Sequence, residues 1–109
     1  MILGLGIDIV EVGRIRTAMG NPRFAERILT DSERNDDRAN DPTYVAGRWA
    51  AKEAAHKAWP MADHWHDVEV ISDPAPRISI KGLPDDLQAL ISITHERSHA
   101  VAVVIIEKK

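Results

Sequence analysis

Residues 41–59 read DPTYVAGRWAAKEAAHKAW, and this stretch decides the fold because it can form one long amphipathic helix. Asp41 followed by Pro42 is a typical helix start, with a capping carboxylate and a proline at the first helical position. Pro60 ends the helix after Trp59. Mostly small residues share one arc of roughly 140°, which favours close packing against a sheet. That arc contains Tyr44, Gly47, Ala50, Ala51, Ala54, Ala55 and Ala58.

The opposite half of this helix is polar, yet it contains a tryptophan. Its members are Val45, Arg48, Trp49, Lys52, Glu53, His56 and Lys57. A face that only contacts solvent has no need of a tryptophan, so we expect this half to face another part of the molecule or a ligand.

The segments on both sides of the helix predict an α+β domain. Strands are predicted over residues 2–10, 68–71, 77–80, 91–94 and 99–106, and shorter helices over residues 11–19, 24–29 and 83–90. Thr30 and Glu33 have the spacing of a capping box, which predicts a further short helix after Thr30. A strand followed by helices and then by antiparallel strands is typical of the α+β class.

Length and composition limit the range of functions. A chain of 109 residues with 44% hydrophobic and 28% charged residues predicts a single globular domain over residues 1–109. The absence of cysteine excludes disulfides, thiolate nucleophiles and cysteine-ligated zinc. The first apolar run lacks a basic leader and soon meets Asp8, so we expect neither a signal peptide nor a membrane span, and a cytoplasmic protein.

Charge argues against a nucleic-acid partner but is unevenly distributed. The net charge is −3, which provides no overall attraction for a phosphate backbone. Residues 1–30 contain Arg14, Arg16, Arg23 and Arg27 against three acidic residues. This local basic excess suits an acidic partner.

Two carboxylates, Asp8 and Glu53, are the candidates for a metal site. Asp8 comes near the end of the first strand, and such a carboxylate is a good oxygen ligand for Mg²⁺, although it could equally cap the next helix. Glu53 could supply the second carboxylate, or could form a surface ion pair with Lys57 four residues later. With a metal bound, Lys57 could instead neutralise a substrate phosphate, so the three residues together favour phosphate transfer.

The histidines give weaker patterns. Glu53-Ala54-Ala55-His56 has the Glu-x-x-His spacing of di-iron bundles, but only one copy occurs. His64 with His66, and His95 with His99, could suggest transition-metal binding without being specific for it. His95 is the best placed of these, because it ends a strand at a predicted hairpin turn.

Four motifs in order resemble the holo-acyl-carrier-protein synthase family of short phosphopantetheinyl transferases. They are GLGIDIVEVGRI, FAERILTDSE, AGRWAAKEAAHKA and ISITHERSHAVAVVIIE. The resemblance implies a mostly antiparallel sheet with a long central helix and assembly as a homotrimer with active sites between subunits. It implies transfer of the 4'-phosphopantetheine arm of coenzyme A to a serine of apo-acyl carrier protein in fatty acid biosynthesis, with release of adenosine 3',5'-bisphosphate.

The resemblance also implies roles for individual residues. Asp8 and Glu53 correspond to Mg²⁺ ligands, and Lys57 to a lysine that contacts the pyrophosphate and assists the leaving group. Arg48 and His95 correspond to positions near coenzyme A. The carrier-protein docking segment corresponds to Arg14, Arg23, Phe24, Arg27 and Ile28.

The chain departs from the family pattern directly after the long helix. The family has a glycine-containing loop there that helps to hold the coenzyme, whereas residues 59–63 read WPMAD without glycine. Backbone donors that approach a phosphate closely could therefore be missing or moved, which bears on coenzyme affinity. The base that deprotonates the serine stays open between Glu53, a water on the metal and another carboxylate.

Two rival interpretations remain at this point. One is a Mg²⁺-dependent phosphohydrolase that uses Asp8 and Glu53 with water as the nucleophile. The other is a catalytically weak coenzyme A-binding or scaffold protein of the same fold.

Overall fold

Five strands and four helices follow one another in the order β1, α1–α4, β2–β5 along residues 1–109, all of which the computed structural model describes. The strands are β1 Ile2–Glu11, β2 Val68–Ile71, β3 Arg77–Ile80, β4 Leu87–His95 and β5 His99–Lys108. The helices are α1 Val12–Ala18, α2 Pro22–Ile28, α3 Asp31–Arg34 and α4 Pro42–Ala58. A 3₁₀ turn over Trp65–Asp67 precedes β2. None of the helices has the length and apolar character needed to cross a membrane.

The strands form two antiparallel sheets. β5 lies between β1 and β4 in a three-stranded sheet, and β2 pairs with β3 in a separate hairpin. Alternate residues of β5 are buried against the helices, because successive side chains of a strand point to opposite faces. The predicted α+β class with antiparallel strands is confirmed.

The predicted helix over residues 83–90 is wrong, because this segment enters β4. Leu87, Ala89 and Ile91 pair with residues of β5 and lie on the face that carries the core residues of that strand. Pro84 and Asp85 lie in the turn that precedes β4 rather than in a first helical turn. Leu90 points to the other face and is also apolar, so the alternation typical of a strand is hidden in the sequence.

Helix α4 lies close to the sheet because both surfaces lack large side chains. The helix begins as predicted, since the Asp41 side chain accepts a hydrogen bond of 2.9 Å from the Thr43 amide. A methyl group added at Gly4 would collide with the Ala58 carbonyl, and one added at Gly6 would collide with the Ala54 carbonyl. The two glycines of β1 and the alanines of α4 therefore set the distance between strand and helix.

Replacing Gly6 with Ala is expected to destabilise the protein by about 3 kcal/mol, because the added methyl group forces β1 and α4 apart. Gly13→Ala is the matched control, since a methyl group at Gly13 has no atom within 4 Å. That change is expected to be neutral or to stabilise by up to about 1 kcal/mol. Urea unfolding of both variants at one protein concentration measures the difference, and equal midpoints would contradict the close-packing argument.

The polar half of α4 contains a buried ion pair that joins three elements. Lys52 is 3% exposed and Glu33 is 2% exposed, and the Lys52 Nζ lies 2.8 Å from Glu33 Oε1. The same ammonium also donates to the carbonyls of Trp65, at 3.0 Å, and Val68. Burial lowers the pKa of Lys52, while the Glu33 charge opposes that change. Three acceptors around one ammonium use all of its donors, so Lys52 fixes α4 to α3 and β2.

Glu33 is satisfied as fully as its partner. Its carboxylate accepts hydrogen bonds from the Thr30 amide at 2.9 Å and the Val70 amide at 2.8 Å, in addition to the Lys52 contact. The predicted capping box between Thr30 and Glu33 is confirmed. The carboxylate thus caps α3 and holds the edge of β2 at the same time.

Candidate active site

Asp8 and Lys57 are brought together where β1 crosses the last turns of α4. The Lys57 Nζ lies 3.5 Å from Asp8 Oδ1 and donates a 2.8 Å hydrogen bond to the Ile7 carbonyl. Asp8 is partly buried, and this burial raises the pKa of its carboxyl group above 3.8. The positive charges of Lys57 and Arg14 oppose the increase. A strand carboxylate and a helix ammonium therefore face the same space.

Glu53 lies one helical turn before Lys57 but does not pair with it. The Glu53 carboxylate makes no ion pair or hydrogen bond with the rest of the chain, since Lys57 contacts β1 instead. It lines a cavity of about 160 Å³ between α4 and the segment of residues 59–67, together with His56 and His64. The alternative of a surface Glu53–Lys57 pair is thus not formed, and the carboxylate keeps its acceptor oxygens free.

The donors fit a cation that takes few protein ligands. No group of three or more histidine, aspartate or glutamate side chains is close enough to form a metal site by itself. The transition-metal and di-iron patterns of the histidines therefore have no matching cluster. Two carboxylates, one of them without a protein partner, are a donor set that suits Mg²⁺, which keeps several ligands from water and substrate.

Arg48 lies away from this carboxylate pair in the same chain. It is 8% exposed, its guanidinium lies 4.0 Å from the centre of the Tyr44 ring, and it donates to the Ser72 hydroxyl. Its Nε is buried without a hydrogen-bond partner, and burial lowers the pKa of the guanidinium. Arg48 precedes Lys57 by nine residues, which is roughly 13 Å along a helix. The contacts of the Arg48 guanidinium are thus with Tyr44 and Ser72, and none is with Asp8 or Lys57.

His95 is exposed at the end of β4 and pairs with Ala100 of β5. In the same sheet, Asp8 of β1 pairs with Ala102 of β5, and Ala102 pairs on its other side with Ile93 of β4. Two strand spacings, across β5, and two residues along the strand separate the two positions, which corresponds to roughly 12 Å between them in a regular sheet. One chain thus leaves His95 at some distance from Asp8 and Lys57.

All but one of the residues predicted to dock the carrier protein lie at the surface. Arg14, Arg23 and Arg27 are exposed and Phe24 is half-buried. Ile28 is 1% exposed and belongs to the core, so its predicted contact with a carrier protein is wrong. The reason is helical geometry, because Ile28 ends α2 on the side that packs against the rest of the molecule, while the arginines lie on the outer side.

An aromatic stack that the sequence only hinted at adjoins this surface. Trp49 of α4 lies between Phe24 and Trp65, with ring centroids 5.8 Å and 4.6 Å apart. The Arg14 guanidinium lies 5.7 Å from the centre of the Trp49 ring. Trp49 among the charges of α4 was the signal for a contact on this face, but nothing in the sequence identified Trp65 as its neighbour.

Comparison with known proteins gives one consistent family. The sequence model of the 4'-phosphopantetheinyl transferase superfamily matches residues 4–104. A holo-[acyl-carrier-protein] synthase of Halalkalibacterium halodurans is 41% identical over 117 residues, covering 99% of this chain and 98% of the relative.

Solved structures agree with the sequence match. A holo-(acyl-carrier-protein) synthase of Bacillus anthracis, in complex with CoA (3',5'-ADP), superposes with a TM-score of 0.85 at 37% identity, covering 100% of this chain and 99% of that one. The Helicobacter pylori holo-[acyl-carrier-protein] synthase, in complex with coenzyme A, gives a TM-score of 0.82 at 29% identity, covering 94% of this chain and 99% of that one.

Proposed function

The chain belongs to the 4'-phosphopantetheinyl transferase superfamily, and we propose how its residues perform its reaction, the transfer of the 4'-phosphopantetheine arm of coenzyme A to a serine of apo-acyl carrier protein. The products are holo-acyl carrier protein, used in fatty acid synthesis, and adenosine 3',5'-bisphosphate. The observation that carries the assignment of the site is the Asp8–Lys57 contact, with the unpartnered carboxylate of Glu53 one helical turn before Lys57.

Asp8 and Glu53 hold Mg²⁺ in this proposal. The ion, when bound, withdraws charge from the pyrophosphate of the coenzyme. Lys57 places its ammonium beside the same phosphates, where it neutralises the charge that develops on the leaving adenosine 3',5'-bisphosphate. The serine hydroxyl gives up its proton to the base, and its oxygen forms a bond to the β-phosphorus as the bond from that phosphorus to the bridging oxygen breaks. The bridging oxygen leaves with the adenosine 3',5'-bisphosphate. The chain's main contribution is to hold the nucleophile and the phosphate in line.

The docking surface for the carrier protein consists of Arg14, Arg23, Arg27 and Phe24. Its arginines complement an acidic carrier, and such complementarity increases the rate of association and fixes orientation. The positive charge of Arg14 acts on the Asp8 carboxyl group, so the two side chains lie within electrostatic reach of each other. This proximity supports delivery of the carrier serine to the site.

The outer face of the three-stranded sheet supports assembly as a homotrimer. Large apolar side chains are exposed along this face, in contrast to the face that covers α4. They include Leu3, Leu5, Ile7, Ile9 and Leu90. An exposed apolar patch of this kind marks an interface. We propose that Arg48 and His95 contact coenzyme A at a site completed by a neighbouring subunit, which accounts for their separation from Asp8 in one chain.

Replacing Leu5 with Lys is expected to dissociate the assembly, because a charged side chain on the outer sheet face cannot be buried without a partner. Analytical ultracentrifugation should show a fall from the trimer mass towards the monomer mass. Lys81→Glu, an exposed change in the turn after β3, is the control and should leave the mass unchanged. An unchanged mass for Leu5→Lys would contradict the proposed interface.

As the pH is lowered, the transferase activity should fall with a midpoint above the ordinary pKa of an aspartate. Burial raises the pKa of Asp8, so its carboxylate is protonated earlier as the pH falls, and the protonated form is a poor Mg²⁺ ligand. Because the metal competes with the proton, a higher Mg²⁺ concentration should move the acidic midpoint of kcat/KM to lower pH. Midpoints that do not depend on Mg²⁺ would contradict the role of Asp8 as a ligand.

The transfer reaction is tested by mixing the protein with coenzyme A, Mg²⁺ and apo-acyl carrier protein and measuring the intact mass of the carrier. A gain of one phosphopantetheine arm is expected. Binding of coenzyme A without a mass gain would favour the weak or scaffold protein, and release of phosphate or nucleotide without the carrier would favour the phosphohydrolase. The glycine-free segment of residues 59–63 bears on coenzyme affinity, so the binding constant should be measured in the same samples.

We further propose that residues 1–109 act as a single transferase domain. One hydrophobic cluster of 22 buried residues draws on β1, β5 and all helices except α3, and the family match covers residues 4–104. A cytoplasmic location stays a prediction from the sequence.

A further inference from the structure

Three aromatic rings form a partly open stack at one surface of the molecule. Phe24 comes from α2, Trp49 from α4, and Trp65 from the 3₁₀ turn after the segment of residues 59–63. Each ring packs against the edge of the hydrophobic core and each is only half-buried. We call these three residues the aromatic platform.

Arginines of α1 and α2 lie on one side of the aromatic platform. Residues 12–28 contain four arginines and a single acidic residue, Glu26, although the whole chain has a net charge of −3. The Arg14 guanidinium lies over the Trp49 ring, and Arg23 and Arg27 flank Phe24 in the sequence with exposed side chains. The platform is therefore an apolar surface with a basic rim on the side of α1 and α2, and an apolar centre with a polar rim is the usual anatomy of a protein interface.

Hydrogen bonds of the Trp65 carbonyl and of the neighbouring His66 hold Trp65 in place, while its ring stays partly exposed. The His66 Nε2 donates a 2.8 Å hydrogen bond to the Glu26 carbonyl, which ties the 3₁₀ turn to α2. The Trp65 carbonyl accepts a 3.0 Å hydrogen bond from the buried Lys52 ammonium. A ring that is ordered before binding loses little conformational entropy when a partner covers it.

We infer that Trp65 is a recognition residue for the carrier protein. No motif of the sequence assigns this role to Trp65. This inference rests on the proposed function. The aromatic platform receives an apolar side chain that the acidic carrier presents among its carboxylates, while the arginines of the rim contact those carboxylates. Aromatic anchors at the centre of an interface usually account for most of the binding energy. Trp65 brings the segment of residues 59–67 into the interface beside α1, α2 and α4.

The alternative is that the stack only stabilises the segment after α4. The two roles have different consequences. A purely structural Trp65 affects folding, or the cavity beside Glu53 that it also lines, and so changes the KM for coenzyme A or kcat. A recognition residue changes the affinity for the carrier well beyond any change in the other two parameters.

The test compares Trp65→Ala with the wild-type full-length protein. The dissociation constant is measured with a carrier whose acceptor serine is replaced by alanine, so that no turnover occurs. We expect both this constant and the KM for the carrier to rise at least about tenfold, well beyond any change in kcat or in the KM for coenzyme A. Trp65→Phe should restore most of the affinity. Met61→Ala, an exposed apolar side chain of the same segment outside the platform, should leave the affinity for the carrier unchanged.

A second measurement uses only the wild-type protein, so the inference can be tested even if Trp65→Ala fails to fold. Oxidative footprinting of the wild-type protein, read by mass spectrometry, should show that the carrier protects Trp65 and Trp49 but not Trp59. Equal oxidation of Trp65 with and without the carrier, or a folded Trp65→Ala that binds the carrier normally, overturns the inference. Either result can occur alongside normal transfer, whereas absence of transfer by the wild type is a failure of the proposed function itself.

Discussion

Glu53→Gln is expected to lower kcat for phosphopantetheine transfer at least about 100-fold, with little change in stability. The substitution keeps the shape of the side chain and removes the negative charge with which Glu53 would bind Mg²⁺. Because the Glu53 carboxylate has no partner within the chain, no fold-stabilising contact is lost. Asp8→Asn should have an effect of similar size, since both carboxylates serve the same ion in this proposal.

The control for these changes is Asp85→Asn. Asp85 is exposed in the turn that precedes β4, away from α4. Its transfer rate should equal that of the wild type. Steady-state rates at several Mg²⁺ concentrations distinguish loss of the ligand from loss of folding, because a weakened site needs more Mg²⁺. Wild-type kcat in both Asp8→Asn and Glu53→Gln would show that the metal assignment is wrong.

Glu33→Ala should be the most destabilising single substitution, by about 3–5 kcal/mol. The change removes the carboxylate from a buried pair and leaves the Lys52 ammonium without its counter-charge at 3% exposure. It also leaves the amides of Thr30 and Val70 without acceptors. Thermal and urea unfolding at fixed protein concentration measure the loss.

Replacing both partners separates the charge from the packing. In Glu33→Met with Lys52→Met no buried charge remains, so much of the stability lost in Glu33→Ala should return, although the two amides stay unsatisfied. Arg38→Ala is the surface control, because the Arg38 side chain is 53% exposed and an ion pair at the surface contributes little. A loss in Glu33→Ala no larger than that in Arg38→Ala would mean that the buried pair does not hold α3, α4 and β2 together.

Lys52 and Glu53 are neighbours in the sequence and both line the cavity beside α4. The Lys52 side chain is buried and its ammonium is paired with Glu33, whereas the Glu53 carboxylate has no partner in the chain. About 100° of rotation per residue separates the two side chains. The buried pair thus fixes the rotation of α4, and with it the direction in which Glu53 points.

Local signals predicted much of the fold. The Asp41 cap, the capping box of Thr30 with Glu33, and the bounds of β2 and β3 depend on contacts within a few residues, and all agree with the structure. The helix predicted over residues 83–90 failed because the preference of that segment depends on β5, which lies beside it only after folding. A strand with apolar residues on both faces has no local signature that separates it from a helix.

The sequence by itself determined the caps, the small-residue face of α4, and the candidate residues Asp8, Glu53 and Lys57, because these follow from spacing or from the motifs of a family. Only the tertiary structure decided that Lys57 pairs with Asp8 and not with Glu53, that Lys52 is buried against Glu33, that Ile28 belongs to the core, and that Trp65 completes the aromatic platform. Each of these outcomes depends on which distant segment lies opposite a side chain. That choice is made by the packing of α4 against β1 at Gly4 and Gly6, and by the burial of one ion pair.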